Sequence, residues 1–273
     1  MKNLETRLHW IFRIAVAAEF IGHGSFGIIT KASWVPYFAV FGIGEQTAYK
    51  LMPLIGAMDI TLGIAALFIP VRFILYYMTF WGLWTACLRP ISGEPVWEAI
   101  ERASNYGVPL AFLVLCGWNG LIKGRFSKID LQPLKSPKTE TLALVLRLTT
   151  GFFLIGHGAL AALTHKNILI RQLESVNLIS SAVPHDSLLL LIGWLEIILG
   201  VGVLIYPVPW LLLFIMIWKI ATESLYPLSG APVWEFIERG GNYAAPLALY
   251  LVERWRAAPD HYKAESIQRA ASA

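Results

Sequence analysis

The sequence has few charged residues, because aspartate, glutamate, lysine and arginine together make up only 15% of its 273 residues. A soluble domain of average composition carries about 25% of them. Apolar side chains instead account for 56% of the chain, and the mean hydropathy is +0.59. This balance excludes an ordinary soluble domain and indicates a protein that lies in a lipid bilayer.

Cysteine is also scarce, since the chain has only Cys87 and Cys116, both within apolar runs and without a CxxC pair. Thiol-redox chemistry is therefore disfavoured. One disulfide stays open, although two free thiols are favoured. The sequence has no HExxH motif, so no metal site is predicted. The formal charge of +4 comes from basic residues in a polar linker and in the C-terminal tail, so no nucleic-acid partner is predicted.

Long apolar runs take up most of the chain. A transmembrane helix needs roughly 20 apolar residues to cross a hydrocarbon core of about 30 Å. Six runs are near that length: 8–30, 51–70, 71–88, 142–163, 188–206 and 208–226. Shorter runs at 106–122 and 243–252 bring the predicted number of membrane helices to eight. The first run contains Arg13 and Glu19 and lacks a cleavage pattern, so we expect an uncleaved helix rather than a signal peptide.

The two halves of the chain carry the same sequence pattern. The segment SGEPVWEAIERASNYGVPLA at residues 92–111 returns as SGAPVWEFIERGGNYAAPLA at residues 229–248. Upstream, FRIAVAAEFIGHG at 12–24 aligns with LRLTTGFFLIGHG at 146–158. We interpret the chain as a tandem duplication. Each half holds four predicted helices, an even number, so both halves enter the membrane in the same orientation and the repeats are parallel.

These observations predict an all-α membrane protein built from two parallel four-helix bundle repeats. The predicted domains are a first repeat at residues 1–121, a basic linker at 122–141, a second repeat at 142–256 and a tail at 257–273. Positively charged loops stay on the cytoplasmic side of a membrane. The linker, the tail and both termini are therefore predicted to be cytoplasmic, in a bacterial inner membrane. Pro133 and Pro137 are expected to prevent helix formation in the linker.

Ionisable side chains occur inside the predicted membrane helices, where a charge costs about 2.5–3.5 kcal/mol at the bilayer centre. Such residues are candidates for binding a ligand or handling protons. The candidates are Glu19, His23, Asp59, His157, Glu196, Lys219 and Glu223. Depths along the helices put the histidine of each half at the level of an acid, Asp59 or Glu196, so each half is predicted to contain a histidine–carboxylate pair. Such a pair could exchange protons or bind a polar head group, or it could only pin two helices together.

The charges inside the membrane differ between the two halves. The alignment matches Asp59 with Glu196, Glu19 with Phe153, Gly82 with Lys219, and Ala86 with Glu223. A repeated scaffold therefore carries unequal charges. His23 and His157 recur at matching positions and could ligate one haem, but symmetry-related histidines need not meet. Haem is therefore less favoured than quinone as a cofactor.

The repeated charged segment follows the third predicted helix of each half. Its marked residues are Trp97, Glu98, Glu101, Arg102, Asn105 and Tyr106, and then Trp234, Glu235, Glu238, Arg239, Asn242 and Tyr243. One interpretation is an interfacial surface helix anchored by tryptophan, with Glu98 and Arg102 spaced for an ion pair. The other is a polar lid that dips into the bundle, because the last apolar run is only about 15 Å long as a helix. We favour the second, with each lid covering the histidine–carboxylate pair of its own half.

Arginine, glycine and lysine recur around the first helix of each half. The patterns are Arg13…Gly22-His23-Gly24…Lys31 and Arg147…Gly156-His157-Gly158…Lys166, and the second helix carries an acid followed by glycines, as in GWLEIILGVGVL at 193–204. In these features both halves resemble the DoxX-like family of four-helix membrane proteins, here as a fused pair. The resemblance implies four-helix bundle units and, for some members, association with quinone-linked or thiol-linked redox enzymes.

Functions of different classes stay open from the sequence. The favoured one is a redox-associated membrane protein that binds a quinone-like or other small apolar ligand, with its histidine–carboxylate groups handling protons. Its expected partners are the lipid bilayer and a redox enzyme subunit. The alternatives are a proton-coupled small-solute transporter or conduit, and a non-catalytic membrane assembly protein.

Overall fold

In the computed structural model, the described residues are 4–117, 129, 134, 136–180 and 184–258. They form helices joined by turns, and no strand occurs in this part of the chain. The helices are α1 (Leu4–Ile28), α2 (Val35–Ala39, preceded by a 3-10 turn at Ala32–Trp34), α3 (Glu45–Phe68), α4 (Arg72–Ile91), α5 (Trp97–Glu101), α6 (Ala103–Cys116), α7 (Ser136–Thr164), α8 (Ile168–Ser175), α9 (His185–Ile205), α10 (Pro209–Leu228), α11 (Trp234–Ile237) and α12 (Gly240–Arg256). A helix therefore overlaps every predicted apolar run.

Within the described residues, five helices are long and apolar enough to cross a membrane. They are Leu4–Ile28, Glu45–Phe68, Pro137–Thr164, His185–Ile205 and Pro209–Leu228. Their number is below the predicted eight, partly because α6 and α12 have only 14 and 17 residues. α4 has 20 residues, but Arg72 and Arg89 and its tyrosines and tryptophans lower its hydropathy.

Large apolar side chains cover the outer faces of the long helices. Leu54, Phe68, Leu191, Ile198 and Trp210 expose between 64% and 71% of their surface. In water, an apolar surface of this extent would drive association with other surfaces, whereas the hydrocarbon of a bilayer covers it. The long apolar helices and this surface together make the chain an integral membrane protein.

Glycines bring the first and second long helices of each half into close contact. Gly24 of α1 lies against the backbone of Gly56 in α3, and Gly158 of α7 lies against Gly193 in α9. A side chain at any of these positions would overlap the facing helix. Small residues let helices approach closely, and this contact stabilises helix pairs in lipid, where the hydrophobic effect between helices is absent.

The centre of the molecule is shared by both halves. α6 and α12 pack against both α1 and α7. Phe12, Phe112 and Phe153 belong to one buried apolar cluster that contains side chains from each half. Cys116 is buried in the same cluster, and both Cys116 and Cys87 are free thiols.

The second half begins earlier than the sequence pattern predicts. α7 begins at Ser136, so the last residues of the predicted linker at 122–141 are helical. The expectation that Pro137 prevents a helix there is wrong, because Pro137 lies in the first turn, where a backbone N–H has no helical acceptor. Pro133, most of the linker and the tail beyond residue 258 lie outside the described residues.

Candidate functional site

The repeated charged segments at residues 97–106 and 234–243, which we call the lids, each contain one short helix, and these helices pack against the opposite halves of the chain. The first lid (α5) packs against α7, and the second lid (α11) packs against α1. The backbone of Glu101 lies directly on Gly156, and the backbone of Glu238 lies directly on Gly22. The prediction that each lid covers its own half is therefore wrong. The glycine before each histidine leaves a groove that only a backbone can enter, and the lid of the opposite half fills it.

Two lysines hold the crossed arrangement in place. Lys166 Nζ lies 2.7 Å from Glu98 Oε1, and Lys31 Nζ lies 2.9 Å from Glu235 Oε1. Each ion pair joins the first helix region of one half to the lid of the other. The side chains of the lid glutamates are between 8% and 15% exposed, so their carboxylates point into the protein.

The first lid is rich in cations. Glu98 forms the predicted pair with Arg102 at 2.9 Å and also lies 3.3 Å from Arg89 and 2.7 Å from Lys166. Glu101 lies 3.2 Å from Arg102 and 3.9 Å from Lys166. Three cations therefore surround two buried carboxylates.

The second lid depends mainly on one arginine. The guanidinium of Arg239 lies 2.9 Å from Glu223, 2.8 Å from Glu235 and 2.9 Å from Glu238. It also lies over the ring of Tyr226, 4.2 Å from the ring centroid. The sequence alignment puts Tyr226 where the first half has Arg89, so the second lid has one cation fewer.

This difference in the number of cations shifts the pKa values of Glu101 and Glu238 in opposite directions. Burial alone would raise the pKa of Glu101, but Arg102 and Lys166 outweigh burial and hold that pKa well below its usual range. Burial raises the pKa of Glu238 to about 7, because Arg239 offsets only part of the effect and the carboxylate of Glu235 adds to it. At neutral pH the first lid therefore holds a firmly ionised glutamate, and the second holds one that titrates.

We expect Glu238→Gln and Glu101→Gln to change stability with opposite signs at about pH 8. The stability contributed by Glu238 is fully present below pH 4.5, its ordinary pKa, and is lost as the pH rises through about 7. Glu238→Gln should therefore gain stability relative to the parent between about pH 5 and pH 8, by about 1–3 kcal/mol at one pKa unit per 1.4 kcal/mol. Thermal unfolding in detergent across this range measures the change.

Glu101→Gln is the matched control. The stability contributed by Glu101 is present above its ordinary pKa of 4.5 and is lost only as the pH falls well below it. This variant should therefore be less stable than the parent by a constant amount from about pH 5 to pH 8. Parallel pH profiles for the two variants would contradict the assigned asymmetry between the lids.

The other lid residues contribute to packing. Ser104 Oγ donates to Asn242 Oδ1 at 2.6 Å and so joins α6 to α12. The hydroxyl of Tyr243 donates to the carbonyl of Phe236 at 3.0 Å, within the second lid region. The remaining predicted lid residues are half-buried: Trp97, Asn105, Tyr106 and Trp234.

In the second half, the predicted histidine–carboxylate pair is present. His157 Nδ1 lies 2.5 Å from Glu196 Oε2, and Trp218 Nε1 donates to Glu196 Oε1 at 2.9 Å. The ammonium of Lys219, fully buried, lies 3.5 Å from Glu196 and 2.9 Å from Glu223. A chain of contacts between ionisable side chains therefore runs from His157 to the second lid.

In the first half, the predicted pair between His23 and Asp59 is not formed. His23 Nδ1 instead lies 3.4 Å from Glu238 Oε2 of the second lid, and its ring stacks on Trp34. Asp59 interacts with Trp81 through a side-chain hydrogen bond. Asp59 is one methylene shorter than the glutamate at the matching position, so its carboxylate reaches the tryptophan but not the imidazole.

A cavity of about 270 Å³ opens beside Asp59 in the first half. Its polar lining includes Glu19, His23 and Asp59 from the predicted site. Its aromatic lining is Phe20, Trp34, Tyr37, Phe38, Phe41, Trp81 and Trp84. The first half therefore holds a mainly apolar cavity, rich in aromatic rings, with acids and an imidazole in its wall.

The corresponding space in the second half is nearly filled. The cavity beside His157 and Glu196 has a volume of about 40 Å³. Lys219 and Glu223 occupy volume where the first half has Gly82 and Ala86 at the matching positions, and side chains of α8 also line the remaining space. Two sites at aligned positions of the sequence thus differ in volume.

Sequence reasoning missed several residues of the site. Lys31, Lys166 and Arg89 form ion pairs with lid glutamates. Trp81 and Trp218 donate hydrogen bonds to the acids Asp59 and Glu196. A signal for most of them was present, because both lysines and both tryptophans recur in the two halves of the sequence. Arg89 has no counterpart, and only its charge within an apolar run could have marked it.

Comparisons of the chain with family models, curated proteins and solved structures find no match. The DoxX-like resemblance therefore stays a prediction.

Proposed function

We propose that this integral membrane protein binds a small ligand in the first-half cavity. The supporting observation is a mainly apolar space of about 270 Å³, rich in aromatic rings, with buried Glu19 and Asp59 and half-buried His23 in its wall. Ligand sites are typically concave, mostly apolar and supplied with a few polar groups, with volumes from about 300 Å³. The volume here suits a ligand of roughly ten non-hydrogen atoms.

In the proposal, the aligned site of the second half binds no ligand and contributes to stability. Its acids are bound to His157, Lys219 and Arg239, and its space is nearly filled. Such a unit resists reorganisation, because separating buried charges is costly. It also supplies the second lid, whose Glu238 contacts His23 at the first-half site.

In its narrower form, the proposal is that the ligand has a quinone-like head group and that the histidine–carboxylate groups handle its protons. It includes two parallel DoxX-like repeats with eight crossings, association with a redox enzyme, and a bacterial inner membrane with cytoplasmic termini. Imidazole and carboxylate at the wall of an aromatic cavity support the proton role. The side of the membrane on which the linker lies is tested with one cysteine introduced in the linker of a chain without Cys87 and Cys116. In intact cells, this cysteine should resist a thiol reagent that does not cross the membrane.

Filling the cavity should abolish ligand binding. Ile55 lines the cavity, whereas its neighbour Leu54 is 67% exposed on the outer face of the same helix. We expect Ile55→Trp to weaken the binding of a small methoxybenzoquinone at least about ten-fold, since an indole ring takes up much of the space. Equilibrium dialysis of purified protein in detergent measures it.

Leu54→Trp is the control, because it adds the same side chain on the lipid-facing side and should bind like the parent. Equal binding by both variants would refute a site in this cavity. If quinone is not retained by the parent but a solute crosses liposomes in a manner that Ile55→Trp blocks, the transporter is the better function. Absence of both activities would leave a membrane assembly protein.

A further inference from the structure

Two buried acids in the first-half cavity form no ion pair with any cation in the part of the chain that the structure describes. Glu19 and Asp59 are 3% and 4% exposed, and both line the cavity. Within the described part of the chain, Glu19 Oε2 and Asp59 Oδ1 have no hydrogen-bond partner, and neither acid is in an ion pair. A buried carboxylate without a partner is costly, so an occupant that supplies donors and positive charge would stabilise both acids.

The cations that also line the cavity are already bound elsewhere. Arg89 lies 2.9 Å from Glu94 and 3.3 Å from Glu98, and Arg102 lies 2.9 Å from Glu98. The imidazole of His23 faces Glu238 of the second lid. The cations that line the cavity are thus paired with glutamates of the lids and with Glu94. Among the described residues, none of them forms an ion pair with Glu19 or Asp59.

The second half contains a group of the kind that the first half lacks. Lys219 places an alkylammonium between two acids, 3.5 Å from Glu196 and 2.9 Å from Glu223. The sequence alignment puts Gly82 at that position in the first half, and about 270 Å³ of space is present there. The acid and the neighbouring tryptophan remain, as Asp59 and Trp81, while the ammonium is missing.

The walls of the first-half cavity suit an organic cation better than a bare metal ion. Indole and phenol rings of Trp34, Tyr37, Trp81 and Trp84 surround it. Aromatic rings attract a desolvated ammonium, and they offer few oxygen ligands to a metal ion. A cavity of this volume also leaves room for an apolar body behind the charged group.

We infer that the first-half cavity binds a small organic cation of the alkylammonium or arylalkylammonium class. The ammonium lies between Glu19 and Asp59, in the role that Lys219 has in the second half, and the apolar body lies against the tryptophans. This inference rests on the broader form of the proposed function, a small ligand in this cavity, and it names a cation in place of the quinone-like head group of the narrower form. It does not involve a covalent or redox step.

Phenethylammonium and 2-phenylethanol form a probe pair of similar size, one charged and one neutral. We expect the parent protein in detergent to bind phenethylammonium at least about ten-fold more tightly, as a charge-assisted contact allows. Glu19→Gln and Asp59→Asn should each remove most of this preference and leave the neutral alcohol within about two-fold. Equilibrium dialysis, with Leu54→Trp as the folded control, measures both probes.

Several results would overturn the inference. If both probes bind equally and Ile55→Trp abolishes both, the cavity binds ligands without selecting a cation, and the proposed function survives. Displacement of phenethylammonium by millimolar sodium or potassium would identify an inorganic ion site instead. If neither probe binds, the cation inference fails, and the methoxybenzoquinone experiment separately decides the proposed function. If one acid variant does not fold, the other and the probe comparison on the parent still decide the inference.

Discussion

Replacing Lys219 with methionine should lower the free energy of unfolding by about 3–5 kcal/mol, because it removes one partner from a buried charge cluster. The ammonium is fully buried and lies between Glu196 and Glu223. Methionine keeps most of the volume, so the loss reports the stranded carboxylates rather than a cavity. Thermal unfolding in detergent, calibrated with a denaturant series, measures the change.

Two further variants make this result interpretable. Lys50→Met introduces the same side-chain change at an exposed position of α3 and should melt like the parent. Lys219→Met combined with Glu223→Gln should be milder than Lys219→Met alone, because one stranded charge is removed with its partner. If the single Lys219 variant melts like the parent, the acids of the second half are neutral and the ion-pair assignment is wrong.

Arg239→Gln should be the most damaging single change in either lid, at about 3–5 kcal/mol. Arg239 contacts three carboxylates, of which Glu223 keeps Lys219 and Glu235 keeps Lys31. Among the described residues, Glu238 loses the one arginine with which it forms an ion pair and keeps its contact with His23. The double variant Glu238→Gln with Arg239→Gln should therefore unfold at a higher temperature than Arg239→Gln alone.

Arg102→Gln is the matched control, since Arg102 occupies the same lid position in the first half. Its partner Glu98 keeps Arg89 and Lys166, and Glu101 keeps Lys166. We expect a loss of only about 1–2 kcal/mol, the range for a charged hydrogen bond with other partners in place. Equal losses for Arg102→Gln and Arg239→Gln would contradict the difference between the two lids.

The sequence alone was sufficient for the helical class and for the approximate helix positions. Apolar runs and turn residues are local signals, and helices overlap all eight runs. The i,i+4 spacing of Glu98 and Arg102 is also local, and the pair forms at 2.9 Å. The pair of His157 with Glu196 followed from depth, because neighbouring helices bring residues of equal depth together.

The exact ends of the helices, and which helices are neighbours in the bundle, were harder to predict from the sequence. The apolar runs at 106–122 and 243–252 did not show that α6 begins at Ala103 and α12 at Gly240, because polar residues of the repeated charged segment form the first turns of both helices. Depth is a single coordinate, and it does not say which of several helices lies beside a given side chain. His23 therefore contacts Glu238, although Asp59 was predicted at a similar depth in the membrane.

The sequence by itself determined that this is a helical membrane protein whose two halves carry the same sequence pattern with unequal charges. Only the tertiary structure decided that the lids cross between the halves, because that depends on backbone contacts at Gly22 and Gly156 with segments distant in the chain. It also decided that the first half keeps a cavity while the second does not. A cavity is the volume left after all neighbouring side chains are packed. The aligned difference between Gly82 and Lys219 could therefore be related to a cavity only in the folded chain.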